Sequence, residues 1–124
     1  MPRVLIVDDS PTEMYKVSET LKRNGYEVLS ADCAEQGILV ARTERPDLVL
    51  MDIVMPGLNG FQATRQLTRD PQTAAIPVIM LTSKSQETDR VWGARQGARG
   101  YLTKPVEDRM LLATIEQVLA AAGR

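Results

Sequence analysis

Five side chains able to do chemistry stand after short apolar runs in this sequence. They are Asp8 and Asp9 after residues 4–7, Asp52 after 48–51, Thr82 after 78–81, and Lys104 two places beyond the segment 98–102. Apolar runs of this length are typical of buried parallel strands. Because open α/β sheets place their chemistry at the carboxyl ends of the strands, we expect these five side chains to lie along one edge of a sheet.

Three carboxylates at one edge indicate a site for a hard cation. Neighbouring carboxylates repel one another, so their joint ionisation at neutral pH calls for a bound cation. Ligands that are all oxygen atoms favour Mg²⁺, and we expect it to be held by Asp8, Asp9, Asp52 and the backbone carbonyl of Val54. With its charge neutralised, Asp52 is suited to attack a phosphorus atom and form an acyl phosphate.

The hydroxyl and the cation complete the predicted phosphoryl site. Lys104 would pair with phosphoryl oxygens, and Thr82 would donate a hydrogen bond. Taken singly, Lys104 is better explained as an exposed loop lysine and Thr82 as a turn residue. Asp8-Asp9 alone still favours a cation site over solvated charges beside a helix start. Because four strand ends bring these residues to the same edge, we favour a phosphoryl site over these separate explanations. A cis bond before Pro105 would aim Lys104 into it, although a trans bond is the commoner geometry.

Strand and helix signals alternate five times along the chain. Strands are predicted at 4–7, 26–31, 48–51, 78–81 and 98–102, and helices at 10–24, 34–45, 59–70, 86–96 and 107–122. Ser10-Pro11-Thr12-Glu13 is a capping-box signature for the first helix. Right-handed crossovers then predict an α/β fold with a doubly wound, five-stranded parallel sheet, for which we predict the strand order 2-1-3-4-5.

Length, net charge and hydropathy limit the number of domains, the kinds of partner and the location that we expect. The 124 residues predict one domain, 1–124, with any output domain on another molecule. A net charge of −1 gives no electrostatic reason to expect a nucleic acid or an anionic membrane as partner. With no apolar run near about 20 residues and no secretory signal, we expect no membrane insertion and a cytoplasmic location.

The histidine and cysteine counts exclude several common kinds of site. The chain has no histidine, which excludes the common zinc and histidine acid-base sites. The single cysteine, Cys33, cannot form an internal disulfide, and we interpret it as a small structural residue rather than a redox group.

Several segments resemble one known family. The acidic pair Asp8-Asp9, the segment 52–57, Thr82 and the segment 101–105 closely resemble the receiver domain of bacterial two-component response regulators, which has a flavodoxin-like (CheY-like) fold. The resemblance covers the whole chain and is strongest to stand-alone regulators. The segments 8–15, 57–67 and 86–89 are similar to regulators of type IV pilus twitching motility.

The resemblance implies a signalling role rather than an enzyme. It implies phosphotransfer to Asp52 from a phosphohistidine of a sensor histidine kinase or its phosphotransfer domain. It also implies that Asp9, Asp52 and the carbonyl of Val54 hold Mg²⁺, with Asp8 assisting, and that Thr82 and Lys104 contact the phosphoryl group.

A switch and an output surface are also implied by the resemblance. Tyr101 would be the rotating aromatic, coupled to Thr82, and a downstream effector would bind a monomer through helix four, strand five and helix five. Two residues depart from many chemotaxis receivers: Val54 stands where they carry a polar residue, and Lys84 stands where they carry an acid. The lifetime of the phosphoryl group in those receivers therefore cannot be assigned to this chain.

Two alternatives use parts of the same pattern. A phosphohydrolase with an aspartyl-phosphate intermediate needs an acid two residues after its nucleophile, and Val54 cannot supply one. A flavodoxin-like cofactor-binding module would have a glycine-rich first turn, whereas this chain has Asp8-Asp9-Ser10-Pro11. Multiple-turnover phosphate release or a bound flavin spectrum would favour these alternatives.

Overall fold

A computed structural model describes residues 1–123, and it shows five strands alternating with five helices. The strands are β1 Arg3–Val7, β2 Glu27–Ala31, β3 Leu48–Met51, β4 Val78–Thr82 and β5 Gly100–Thr103. The helices are α1 Pro11–Arg23, α2 Ala34–Glu44, α3 Gly60–Arg69, α4 Glu87–Arg95 and α5 Asp108–Ala121. No helix among the described residues is long and apolar enough to cross a bilayer.

The strands form one parallel sheet in the order β2-β1-β3-β4-β5, which confirms the predicted topology. β3 lies on the side of β1 opposite to β2, so β1 and β3 are neighbours. Val7 is opposite Met51 in this pair. The three central strands are buried almost throughout because helices cover both faces, which is why they are continuous apolar runs. As predicted, the more polar β2 is an edge strand.

Alternate residues of the strands divide the core into two clusters. Leu5, Val7, Met51 and Met80 belong to one, which includes residues of α2 and α3 such as Ala63. The other is on the opposite face of the sheet and joins the remaining strand residues to α1 and α5. Its buried members include Leu21, Leu50, Ile79, Leu111 and Ile115. This packing on both faces makes the sheet a rigid base for the loops at its carboxyl edge.

Most element boundaries differ from the predictions by one or two residues, and at the starts of β2 and β5 a local hydrogen bond competes with the strand pattern. The Tyr26 N–H donates to the Leu21 carbonyl, so β2 begins one residue later than predicted. The Ala98 N–H donates to the Gly93 carbonyl and completes the end of α4, so β5 begins at Gly100 instead of residue 98. In addition, β4 extends to Thr82, and α2 ends at Glu44 before Arg45, whose φ is 49°.

The capping box predicted for α1 forms on one side only. The Glu13 N–H donates to Ser10 Oγ at 3.3 Å, as predicted. The Ser10 N–H, however, donates to Asp8 Oδ1 at 2.9 Å instead of to the Glu13 side chain. Asp8 therefore fixes the start of α1 through Oδ1, while its Oδ2 contacts Lys104.

Candidate functional site

The predicted site residues lie together just beyond the strand ends. The backbone ladder continues past the strands: the Asp52 N–H donates to the Val7 carbonyl at 3.0 Å, and the Lys104 N–H donates to the Thr82 carbonyl at 2.8 Å. These bonds bring residues from β1, β3, β4 and β5 to one edge, because parallel strands in register end at the same height.

The three aspartates form a compact acidic cluster. Side-chain oxygens of Asp8, Asp9 and Asp52 all lie within 4.8 Å of one another. Asp8 and Asp52 are buried, whereas Asp9 is exposed, so the cluster opens to solvent on the side of Asp9. Three oxygen donors with one open side suit a hard cation that keeps some of its water ligands, as Mg²⁺ does.

Lys104 spans two of these carboxylates. Its Nζ lies 2.6 Å from Asp8 Oδ2 and 3.5 Å from Asp52 Oδ2, and its side chain is only 12% exposed. Burial by itself lowers the pKa of Lys104, but the hydrogen bond to Asp8 and the charges of Asp52 and Asp8 outweigh it, so the pKa is raised. The ammonium is therefore charged at neutral pH and close to Asp52.

Asp52 is held by its own chain. Its Oδ1 accepts a hydrogen bond from the Ile53 N–H at 2.7 Å. Burial raises the pKa of the Asp52 carboxyl, and the charge of Lys104, the hydrogen bond with the Thr82 hydroxyl and the Ile53 N–H lower it by less. Asp8 also raises it, because two like charges disfavour joint ionisation. A cation in the cluster would offset both unfavourable effects.

Gly60 lets the start of α3 pack directly against the backbone of Asp52. A Cβ at Gly60 would overlap the Asp52 carbonyl oxygen and lie 2.7 Å from the Ile53 Cα. The Gly60 N–H also donates to the Ile53 carbonyl at 2.9 Å. The predicted nucleophile is thus fixed by the helix that follows it as well as by the sheet.

A chain of contacts leads from Asp52 to Tyr101. The buried Thr82 hydroxyl lies near Asp52, where it lowers the pKa of that carboxyl, and Thr82 Oγ1 accepts the Lys84 N–H at 3.4 Å. The Tyr101 hydroxyl donates to the Lys84 carbonyl at 2.7 Å. The Arg90 guanidinium lies 5.0 Å from the centre of the Tyr101 ring. The two predicted switch residues are therefore joined through the backbone of Lys84.

Two predicted site residues lie on the loops that follow β3 and β5. Val54 is in the β3–α3 loop with a 58% exposed side chain, and the role of its carbonyl stays a prediction. Pro105 follows Lys104 through a cis peptide bond, the less common of the two geometries. An exposed aliphatic residue at 54 offers no acid, as the phosphohydrolase alternative would require.

Three contributors are not apparent from the sequence pattern. The Ile53 N–H and the Lys84 backbone are peptide groups, which no residue type reveals. Arg90 lies on α4 and donates to Thr103 Oγ1 at 3.1 Å, so it contacts β5 through two neighbouring side chains. The spacing of thirteen residues between Arg90 and Thr103 carries no local signal.

A groove borders Lys104, and none of the three cluster aspartates lines it. It has a volume of about 830 Å³ and runs between α1 and the loop after β5. Tyr15, Lys16 and Thr20 of α1 line one wall, and Lys104 and Pro105 line the other.

Comparison with known proteins supplies independent evidence. Residues 4–116 match the response regulator receiver domain. Protein PilH of Pseudomonas aeruginosa is 66% identical over 120 residues, which cover 97% of this chain and 99% of that protein.

Solved structures show the same architecture. The chemotaxis protein CheY4 of Vibrio cholerae is 34% identical with a TM-score of 0.90, covering 95% of this chain and 98% of that one. The receiver domain of a sensor histidine kinase from Pseudomonas aeruginosa, solved with a magnesium ion in its active-site cleft, is 28% identical with a TM-score of 0.89, covering 96% and 98%. The flavodoxin-like, CheY-like fold is thus confirmed. This chain belongs to the response regulator receiver domain family of two-component signalling proteins.

Proposed function

We propose that this protein is a stand-alone, cytoplasmic response regulator that accepts a phosphoryl group on Asp52 from a sensor histidine kinase or its phosphotransfer domain. The acidic cluster of Asp8, Asp9 and Asp52, spanned by the buried Lys104, is the observation that carries the proposal. A carboxylate nucleophile, a cation site and a fixed ammonium are what an aspartyl-phosphate site requires.

The donor set fits Mg²⁺. Asp9, Asp52 and the carbonyl of Val54 would hold the ion, with Asp8 assisting, and the ion would supply charge neutralisation for the incoming phosphoryl group. The exposed Asp9 leaves one side open for water and phosphate oxygens. The magnesium ion in the cleft of the related kinase receiver domain supports this assignment.

The transfer is a single displacement at phosphorus. A bond forms between an Asp52 carboxylate oxygen and phosphorus, and the bond from phosphorus to the donor's imidazole nitrogen breaks. That nitrogen keeps the electron pair, and the proton carried by the other ring nitrogen of the phosphohistidine makes the leaving group a neutral imidazole. Lys104, already 3.5 Å from Asp52, would pair with phosphoryl oxygens, and Thr82 would donate its hydroxyl hydrogen to them.

Acetyl phosphate tests the proposed phosphoacceptor without the unidentified kinase. Incubation with Mg²⁺ and acetyl phosphate should add one phosphoryl group to the intact mass, and alkali should remove it. Asp52→Asn should abolish the addition. Asp32→Asn is the matched control, because Asp32 is an exposed aspartate that follows the end of β2 on the same edge. Phosphorylation that persists in Asp52→Asn would contradict the assignment.

Output through α4, β5 and α5 is part of the same proposal. Val91 and Trp92 of α4 and Met110 of α5 are large apolar side chains that are 46–57% exposed. Tyr101 of β5 connects this surface to Thr82 through the backbone of Lys84. An effector that binds here would be sensitive to the position of the tyrosine ring.

The similarity to PilH supports a role in chemotaxis-like control of type IV pilus twitching motility. Expressing this chain in a Pseudomonas aeruginosa strain that lacks PilH should restore the twitching zone on agar, and the Asp52→Asn variant should not. Equal zones with the wild type and the variant would contradict a phosphorylation-dependent role there.

A further inference from the structure

The loop between β3 and α3, residues 52–59, is held by a side chain that lies outside the acidic cluster. The Leu58 N–H donates to Glu35 Oε2 at 3.3 Å, across 23 residues of sequence. Glu35 is in the first turn of α2, next to this loop. A backbone N–H in an irregular loop has no ladder partner, so this carboxylate fixes a part of the loop that the sheet cannot reach.

Gly57 shows how closely the loop follows the Glu35 carboxylate. Its φ is +78°, and a Cβ at this position would lie 3.1 Å from Glu35 Oε2 and 3.7 Å from Oε1. A side chain at 57 would therefore be in tight contact with the Glu35 carboxylate, which would have to move by a few tenths of an ångström. The consecutive residues Gly57 and Leu58 thus both lie against the Glu35 carboxylate.

The opposite end of the loop is fixed independently. Asp52 is bonded to β1, and the Gly60 N–H donates to the Ile53 carbonyl at 2.9 Å. Met55 is buried in the core. The exposed Val54 lies between these fixed points, so its peptide orientation depends on the anchors on both sides.

We propose that Glu35 is a positioning residue that holds the β3–α3 loop, and with it the Val54 carbonyl that the proposed function assigns to Mg²⁺, in place beside the acidic cluster. This inference rests on the proposed function, because the carbonyl matters only if the cluster binds Mg²⁺. Glu35 itself is not among the three cluster carboxylates found in residues 1–123. Its effect on the ion is therefore transmitted through the loop, as residues that orient metal ligands commonly act.

Three variants of the full chain separate the hydrogen bond from other effects of the substitution. Glu35→Ala removes the acceptor, whereas Glu35→Gln keeps an oxygen that can accept the Leu58 N–H. Gln36→Ala is the matched control, since it alters the next exposed residue of the same helix turn. Calorimetric titration with Mg²⁺ measures the dissociation constant, and hydrogen exchange measures protection of the Leu58 amide.

Glu35→Ala should weaken Mg²⁺ binding roughly threefold to tenfold, and Glu35→Gln should restore it to within about twofold of the wild type. Exchange of the Leu58 amide should be faster by roughly tenfold in Glu35→Ala and near the wild-type rate in Glu35→Gln. Gln36→Ala should alter neither measurement.

The outcomes distinguish this inference from the proposed function. Wild-type protein that binds no Mg²⁺ overturns both. Normal Mg²⁺ affinity in Glu35→Ala overturns the positioning role alone, and so does a weakened affinity that Glu35→Gln fails to restore.

Discussion

Thr82 and Tyr101 are both hydrogen-bonded to the backbone of Lys84. The Thr82 hydroxyl accepts its N–H at 3.4 Å, and the Tyr101 hydroxyl donates to its carbonyl at 2.7 Å. The two side chains come from adjacent strands, where Thr82 is opposite Thr103 and Tyr101 is opposite Met80. A change in the Thr82 hydrogen bond can therefore reach Tyr101 through a single residue.

Removing the Thr82 hydroxyl should disconnect phosphorylation from Tyr101. We expect Thr82→Ala to take a phosphoryl group on Asp52 but to lose most of the change at Tyr101, because a ligand shifts a two-state element only through contacts that differ between the states. The measurement is the NMR shift of the Tyr101 ring on adding Mg²⁺ and beryllofluoride, a phosphoryl mimic. Thr82→Ser keeps the hydroxyl and should retain the shift. An undiminished shift in Thr82→Ala would mean that the signal leaves the site by another route.

Removing the exposed carboxylate of the cluster should weaken cation binding. Asp9→Ala takes away one ligand and one negative charge, so we expect the Mg²⁺ dissociation constant to rise roughly tenfold or more. Phosphorylation by acetyl phosphate at a fixed, subsaturating Mg²⁺ concentration should slow by a similar factor. Asp32→Asn controls for the loss of one charge at the same edge, and Mg²⁺ affinity in Asp9→Ala equal to that control would identify Asp8-Asp9 as a solvated turn.

Gly60→Ala should impair both stability and phosphorylation. The added Cβ would overlap the Asp52 carbonyl, so α3 must shift away from Asp52, and we expect a loss of about 2 kcal/mol or more in the free energy of unfolding.

Gly25→Ala provides the comparison for Gly60→Ala. Its φ is +87°, and no atom lies within 4 Å of the position that the added methyl group would take, so only backbone strain of about 1 kcal/mol is expected, with normal phosphorylation. Urea unfolding and the rate of acetyl phosphate labelling check both variants. Equal phosphorylation rates in the two would contradict a role for the close packing of α3 on Asp52.

Asp70 should contribute to acid sensitivity of the fold. The hydrogen bond from the Gln72 N–H, followed by that from Arg42, lowers the pKa of the Asp70 carboxyl below its ordinary value. A lowered pKa in the folded state gives stability that is present above the unfolded pKa of about 3.9 and is lost as pH falls through the folded pKa.

Urea unfolding between pH 6 and pH 2.5 measures this contribution. Asp70→Asn should lose less unfolding free energy than the wild type over that range, because the neutral amide does not titrate. The reduction in acid dependence should be smaller in Arg42→Gln than in Asp70→Asn, since the hydrogen bond from the Gln72 N–H to Asp70 remains. An acid dependence as steep in Asp70→Asn as in the wild type would contradict the assignment.

The alternation of strand and helix signals was enough to predict the fold class and the residues of the candidate site. Buried parallel strands are short apolar runs, and polar side chains follow these runs at the sheet edge. Asp52, Thr82 and Lys104 were therefore predictable from the convergence of several strand ends, whereas Thr82 and Lys104 taken singly have ordinary loop explanations. Element ends were less accurate where a backbone hydrogen bond competed with the pattern, as at Tyr26 and Ala98.

The contacts that hold these residues in place could not be predicted from the sequence. Lys104 reaches Asp8 across 96 residues, Leu58 reaches Glu35 across 23, and Tyr101 reaches the Lys84 carbonyl across 17. Such contacts depend on how helices and loops pack over the sheet, and two of them use backbone groups that every residue carries. The residue type at one position therefore does not reveal them, because their partners are chosen by the packing of the whole chain.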